Sequence, residues 1–277
     1  MTAPSALSIT QITSRSNPLL VRLRKLADEP SAYRKFGEIW IEGEHLCAAY
    51  LARGGSAPRC VISESGWSAP ALRELAGRCE AVSIVADPLF AGASGLDSPA
   101  AIGLVVPWRG ADSTVRGGEP TVVLDRLQDA GNVGTILRSA AAFGFTQVVA
   151  LSGTAALWSS KVVRAGMGAH FGLHLVEQAD AGSLAALALP LVATSSHATE
   201  AIDQVSLPWP CAWLFGHEGQ GVSSELMQRS ALTLGIPQPG GEESLNVAAA
   251  AAVCLYESAR QRRAQPQGSS ATRQYTS

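Results

Sequence analysis

The sequence predicts an α/β protein of two units, a small N-terminal one and a larger one built on a parallel sheet. Three observations predict it. At 277 residues the chain is near the size at which a single core divides in two. From Thr121 onward, near-continuous apolar runs alternate with helical stretches, the pattern of parallel strands covered on both faces. Between the halves lies PWRGADSTVRGGEP, polar and glycine-rich, which reads as a linker. The expected division is therefore an N-terminal unit over 1–107, a linker over 108–119 and a C-terminal unit over 120–263. A tail over 264–277, rich in Gln, Ser, Thr and Gly, is expected to be disordered.

In the N-terminal unit, Ser16-Asn17-Pro18 marks a helix start, with Asn17 as cap and Pro18 at the first helical position. Leu19, Leu23 and Leu26 then form a helical stripe that leaves Arg22 and Lys25 toward solvent. Short apolar runs at 38–41, 60–63, 81–85 and 101–106 read as strands, alternating with helices around 45–51 and 69–75. In the C-terminal unit the strands are TVVLD, QVVAL, PLVATS, AWLFG and LTLGI. Helices are expected over 133–143, 223–230 and 246–260.

Composition excludes several classes. Hydrophobic residues make up 47% and charged residues 16%, ample for buried cores and unlike a disordered chain. The apolar run at 247–256 is well short of the ~18–20 residues a membrane helix needs. MTAPSALSITQ has neither a basic nor an apolar region of a secretory signal. Five scattered cysteines without a CxxC suit reduced thiols in a cytoplasmic protein. Net charge is −2, which does not favour a polyanionic partner, but the charge is uneven. Between positions 15 and 35, Arg15, Arg22, Arg24, Lys25, Arg34 and Lys35 face only Asp28 and Glu29, a local patch able to hold phosphates or simply a solvated helix face.

Three stretches in the second half carry the chemistry: NVGTILR at 132–138, LFGHEGQG at 214–221 and IPQPGGEESLNVA at 236–248. Each follows a strand, and in an open parallel sheet ligands bind beyond the carboxyl ends of the strands. In the first, Asp129, Gly131 and Asn132 are expected to form a turn before a helix that carries Arg138. Asn132 and Arg138, six apart, do not share a helical face, and a capping Asn with a surface Arg would look the same. In the second, Gly216, Gly219 and Gly221 surround Glu218, which could accept from ligand hydroxyls or amines. The third loops through Gly240-Gly241 and enters a helix at Ser244-Leu245-Asn246, where side chains can cap and backbone N–H groups can meet a ligand. The alanine-rich helix that follows permits close packing, at a dimer interface or against a folded loop.

Rival motifs fail on context. Gly166-x-Gly168-x-x-x-Gly172 follows a basic segment and precedes a short strand, GLHLV, unlike a dinucleotide-binding turn. No GxxxxGK[ST] exists. His217-Glu218 begins like a zinc-protease motif, but position 221 is Gly. His170 and His174 lack a third ligand, so no metal is expected.

The order, spacing and flanks of the three stretches resemble the SpoU (TrmH-like) RNA ribose methyltransferases of the SPOUT superfamily. The resemblance covers 120–260 and includes the N-x-G-x-x-x-R, F-G-x-E-x-x-G and I-P…S-L-N signatures, with KVVRAGMGAHF at 161–171 and ATSSHA at 193–198 in support. Residues 14–51 resemble the substrate-binding domain of many members, a fold similar to RNA-binding ribosomal proteins. What the resemblance implies is a parallel-sheet α/β domain with a deep trefoil knot, working as a homodimer through the C-terminal domain. The knotted region would bind S-adenosyl-L-methionine through Thr194, Gly216, Ile236 and Leu245, with Ser244 and Asn246 beside them. Arg138 would be the principal catalytic residue, supported by Asn132, Glu218, Ser244 and Asn246. The implied reaction is methylation of a ribose 2′-OH in structured RNA, rRNA rather than tRNA by analogy of the N-terminal domain. RNA would be gripped by Arg22, Arg24 and Lys25 with Arg138. A tRNA enzyme and a non-catalytic RNA-binding protein of the same fold are the alternatives. A guanidinium stays protonated, with pKa above about 12, so Arg138 is better suited to hold a phosphate and offset alkoxide charge than to act as base.

Overall fold

A computed structural model describes residues 7–55, 57–96, 98–110, 113–240 and 244–264. Gly241 of the third stretch and the tail beyond Ala264 lie outside the described residues. The first sheet contains β1 (Ser8–Ile12), β2 (Glu38–Glu42), β3 (Arg59–Ser63), β4 (Ala81–Val85) and β5 (Ile102–Pro107) in the order β1-β4-β3-β5-β2. β1, β4 and β3 are parallel, while β5 runs antiparallel to both β3 and β2. Around it lie α1 (Pro18–Asp28), α2 (Ala32–Phe36), α3 (Glu44–Ala52), α4 (Glu64–Ser68), α5 (Pro70–Ala76) and α6 (Asp87–Ala91). The start of α1 is as expected: Asn17 Oδ1 accepts from the Leu19 amide at 2.9 Å, and Leu19, Leu23 and Leu26 are buried.

The second sheet is parallel throughout. It contains β6 (Thr121–Asp125), β7 (Gln147–Leu151), β8 (His174–Ala179), β9 (Leu191–Thr194), β10 (Glu200–Ala201), β11 (Ala212–Gly216) and β12 (Leu232–Gly235), in the order β10-β12-β9-β11-β6-β7-β8. The five expected strands of this half all form. Alternate residues feed two cores. Val122, Leu124, Trp213 and Phe215 face α7 (Ala130–Ala142) and α10 (Val247–Ala264), whereas Val123, Val149 and Leu214 face α9 (Ser224–Arg229) and the turn at 182–187. The indole of buried Trp213 donates to Ser258 Oγ at 2.9 Å and fixes α10 on the sheet.

Four readings of the sequence need correction. β1 forms although its SITQI pattern is mostly exposed; backbone pairing with β4 along the sheet edge holds it. Asn132 is not in a turn but in the first turn of α7, because Asp129 takes the cap and accepts from the Asn132 amide at 2.7 Å. Ala264 belongs to α10 rather than to a tail, since that helix continues four residues past the expected end. The polar segment 108–119 is not a free tether in its described part. The Trp108 amide donates to Gly37 O, and Gln147 brackets Arg116 through its amide and carbonyl at 2.8 and 3.1 Å.

The two sheets are joined through α8 (Ser160–Gly166), which touches both β2 and α1. Ser160 Oγ donates to Ala27 O at 2.7 Å, and Arg53 donates to Gly168 O at 2.6 Å. Glu177 Oε1, with its side chain 8% exposed, accepts from Tyr33 Oη (2.6 Å), Arg34 (3.1 Å) and the Leu157 amide (2.7 Å). Burial of that carboxylate requires these donors, so the junction has one geometry.

His170 anchors the segment after α8. Its ring is buried, packs on Trp158 and donates from Nε2 to Leu157 O at 2.8 Å. Burial, only partly offset by that bond, lowers its pKa from 6.5 to about 4. The unfolded chain therefore binds a proton that the folded chain refuses once pH falls below the ordinary histidine value. Stability present near neutrality is lost as pH drops toward the folded pKa. Urea unfolding is expected to show this one group costing about 2 kcal/mol between about pH 7 and pH 5. His170→Gln keeps the donor and removes the titration, so an equal pH slope in wild type and variant would contradict the assignment.

Candidate functional site

The second and third stretches line a cavity of about 570 Å3 at the carboxyl edge of the second sheet, and the first is tied to its wall through Asn132, which bonds Glu218 and Asn246. Thr194 ends β9, Gly216 ends β11 and Ile236 follows β12; all three line it, as do Ser244, Leu245 and Asn246 before α10. Every residue expected to hold a cofactor thus borders one cavity. His217, Gln220, Met227 and Gln238 complete the wall without having been anticipated.

Glu218 ties the first two stretches together. Its Oε1 accepts from the Asp129 amide (3.1 Å) and Asn132 Nδ2 (3.2 Å), and Oε2 accepts from the Gln128 amide (3.2 Å). Desolvation pushes this carboxyl up, but backbone donors and Asn132 outweigh it and hold the pKa below the ordinary glutamate value. The carboxylate expected to meet a ligand is therefore largely committed to fixing the β6–α7 loop. Asn246 brings in the third stretch. Its Nδ2 donates to Asn132 Oδ1 at 3.0 Å, while its Oδ1 caps α10 by accepting from the amides of Ala248 (2.9 Å) and Ala249 (3.2 Å).

A second lock lies beneath. Asp125, buried at the end of β6, accepts from Arg126 Nε (2.9 Å) and the Ser223 amide (2.7 Å); Arg126 also donates to Gln220 at 3.1 Å. Burial would raise the Asp125 pKa, but these donors more than offset it and hold the carboxyl low. Arg126 has φ +61°, a left-handed conformation held by Thr154 Oγ1, which accepts from its amide at 3.1 Å. An aspartate closing a strand just before a turn was the available sequence signal for this lock.

Two glycines are dictated by close approach. A Cβ on Gly216 would lie 2.0 Å from Gly221 C and Val222 N, so the loop folds back directly over the strand end. A Cβ on Gly134 would lie 2.4 Å from the Ala165 Cβ and 2.7 Å from Val162 O, so α7 and α8 touch along their backbones.

The basic residues do not join this cluster. Arg138 is exposed on α7, six residues beyond Asn132, about 9 Å along the axis. It has no hydrogen bond or salt bridge among the described residues and does not line the cavity. On α1, Arg22 is half-buried beside Glu38 at 3.1 Å rather than free in solvent. Arg24 donates to Gly92 O and Arg15 O at 3.0 and 2.9 Å, tethering two loops. Lys25 is exposed and without such a partner among the described residues. His170 and His174 bond to separate carbonyls, of Leu157 and Thr114. Among the described residues no group of three His, Cys, Asp or Glu converges, and no helix is long and apolar enough to cross a membrane.

Comparison with known proteins decides the family. The model of the SpoU rRNA methylase family matches residues 119–256. A Synechocystis protein named an uncharacterized tRNA/rRNA methyltransferase is 33% identical over 271 residues, covering 93% of this chain and 96% of its own. The chain belongs to the SpoU rRNA methylase family. Another relative, the 23S rRNA (guanosine(2553)-2′-O)-methyltransferase RlmP of Bacillus subtilis, is 28% identical and covers 89% of this SpoU chain and 98% of its own. The crystal structure of an AdoMet-bound rRNA methyltransferase from Sinorhizobium meliloti superposes with a TM-score of 0.79 at 25% identity, covering 93% of this chain and 99% of that one.

The cavity of this SpoU protein fits S-adenosyl-L-methionine on its own residues. No lysine or arginine lines it among the described residues, and Glu218 is held ionised, so a sulfonium meets no repulsion. Gln238 Oε1 is buried in the wall without a hydrogen-bond partner, an acceptor suited to an exocyclic amine. Leu234, Ile236 and Met227 supply apolar wall for a planar base.

Gly216→Ala is expected to displace the loop 217–222, destabilising the protein by about 3 kcal/mol and abolishing cofactor binding in calorimetry. A variant with wild-type Tm and affinity would show that the loop yields at no cost.

Proposed function

We infer that this chain is an S-adenosyl-L-methionine-dependent methyltransferase that methylates a ribose 2′-OH in structured RNA. Two signatures line one cavity and the third is tied to both by the Asn132–Glu218 and Asn246–Asn132 hydrogen bonds, and that arrangement carries the reading. The names of its relatives favour rRNA over tRNA as the substrate. The bound cofactor supplies an activated methyl group; the chain's residues position the acceptor and offset charge. The acceptor hydroxyl would give up its proton to solvent or a phosphate oxygen.

Arg138 is assigned to a backbone phosphate and to the developing alkoxide. Its guanidinium has no competing partner among the described residues, which leaves its donors available. In one chain it stands off from the cofactor cavity, which supports a reaction centre shared between two protomers. A homodimer through the C-terminal domain fits a second observation: Val253 and Tyr256 on α10 are 41% and 47% exposed, with Phe143 of α7 edge-on to Tyr256 at 5.8 Å. The deep trefoil knot is part of the same reading, supported by the bond of Asn246 to Asn132 beside β6, three strands from the β12 that Ile236 follows. Residues 1–107 are assigned to RNA selection, 108–119 to the connection and 120–263 to catalysis. Lys25 is the member of the Arg22, Arg24, Lys25 set best placed to reach RNA. Five buried cysteines outside any disulfide suit a cytoplasmic setting.

Arg138→Ala is expected to lower methyl transfer to rRNA by about 100-fold or more, while calorimetry finds cofactor affinity unchanged. Retained transfer would remove the assigned role, and absence of cofactor binding in the wild type would leave an RNA-binding protein without this chemistry.

A further inference from the structure

A second cavity, of about 390 Å3, lies between the two sheets. It is bordered by Tyr50 of α3 and Arg53 just after it, by Arg109 after β5, and by Trp158, Phe171 and His174 of the C-terminal unit. The last of these begins β8, so the cavity opens at the amino-terminal ends of the parallel strands, the edge opposite the cofactor. β8 is also four strands from β9, about 19 Å at the usual interstrand spacing. This is a different site from the one described above.

Its chemistry is unbalanced toward donors. Arg109 is exposed and has no hydrogen bond or salt bridge among the described residues. Arg53 uses Nη1 on Gly168 O, and His174 donates Nε2 to Thr114 O. Two indole N–H groups, of Trp108 and Trp158, are buried without an acceptor among the described residues. They converge on Gly110 in the cavity wall, where a Cβ would lie 2.6 Å from Trp108 Nε1 and 3.3 Å from Trp158 Nε1. No carboxylate lines the cavity among the described residues. Unpaired buried donors are rare in native proteins and call for an acceptor. Beside them, Tyr50 and Phe171 meet edge to face at 5.1 Å, and Trp158 adds a third ring. An arginine pair with adjacent aromatic rings matches a phosphate joined to a planar base.

We propose that this interdomain cavity binds a nucleotide of a single-stranded segment of the RNA substrate, remote from the nucleotide that is methylated. The phosphate lies against Arg53 and Arg109, and the base lies on the Tyr50, Phe171 and Trp158 rings. The proposal rests on the methyltransferase reading for the source of the nucleotide, since a free mononucleotide has the same chemistry. Both units contribute walls, so RNA held here is registered to the two sheets at once.

The test uses the full chain and fluorescein-labelled oligouridylate, read by fluorescence anisotropy. Arg109→Ala and Trp158→Phe are each expected to weaken binding about five-fold or more. Arg109→Lys should recover most of the loss, and Arg109→Ala should reduce the salt slope by about 0.7. On rRNA, both variants should raise KM and leave kcat and cofactor affinity unchanged. Unaltered oligouridylate binding in both variants, with cofactor binding intact, would overturn the proposal. So would uridine monophosphate binding tightly at this site while oligouridylate does not compete. Failure of the methyltransferase reading looks different: the wild type itself would transfer no methyl group, and anisotropy would still decide the cavity.

Discussion

The Glu218 carboxylate is the point on which the site depends. An ionised carboxylate accepts only, and it has lone pairs enough for several donors. Here it takes two backbone amides immediately before α7 and the Asn132 side chain in the helix's first turn. Negative charge at a helix start is favoured by the helix dipole, so the clamp and α7 stabilise each other. β6 and β11 are adjacent, with Gly216 opposite Asp125, which delivers Glu218 to that helix start without a long reach. Asn132, turned by the clamp, receives Asn246, and Asn246 caps α10. Loss of the carboxylate would release three distant segments together.

Around that clamp the chain accepts local strain to hold exposed backbone still. A left-handed arginine costs on the order of 1 kcal/mol, and Arg126 is retained by bonds to Asp125, Gln220 and Thr154. Arg126 reaches the 216–223 loop at Gln220 and Asp125 accepts from the Ser223 amide at its end, while the loop's return over Gly216 leaves no room for a side chain. A cavity walled by backbone needs this rigidity before its ligand arrives, because ordering a loop on binding subtracts from affinity.

The sequence revealed the parallel sheet because its strands are buried on both faces and therefore read as continuous apolar runs. The resemblance to the family motifs pointed to Thr194, Gly216, Ile236, Ser244, Leu245 and Asn246, which line one cavity although each local stretch also reads as an ordinary turn or cap. β1 was hidden, since an exposed edge strand held by backbone pairing leaves no apolar signature. Asn132 was misassigned because Asp129 and Asn132 are both competent caps, and only the fold selects between them. The basic helix is more engaged than its sequence shows, for another reason. The partners of Arg22 and Arg24 include Glu38 and the Gly92 carbonyl, distant positions that no local pattern reports.

Gly134 connects these levels. It is the glycine of N-x-G-x-x-x-R, inside the helix expected from 133, and it lets α7 lie against the Val162 carbonyl and Ala165. α8, so gripped, also bonds the N-terminal unit through Ser160 and packs on β2. The helix that carries Arg138 is thereby locked to the helix that carries the first sheet, and Glu177 fixes the same junction from β8. A larger residue at 134 would separate the helices and rotate the N-terminal unit relative to Arg138. The orientation of the first unit relative to α7 thus depends on a backbone contact inside the second, together with the Ser160 and Glu177 bonds.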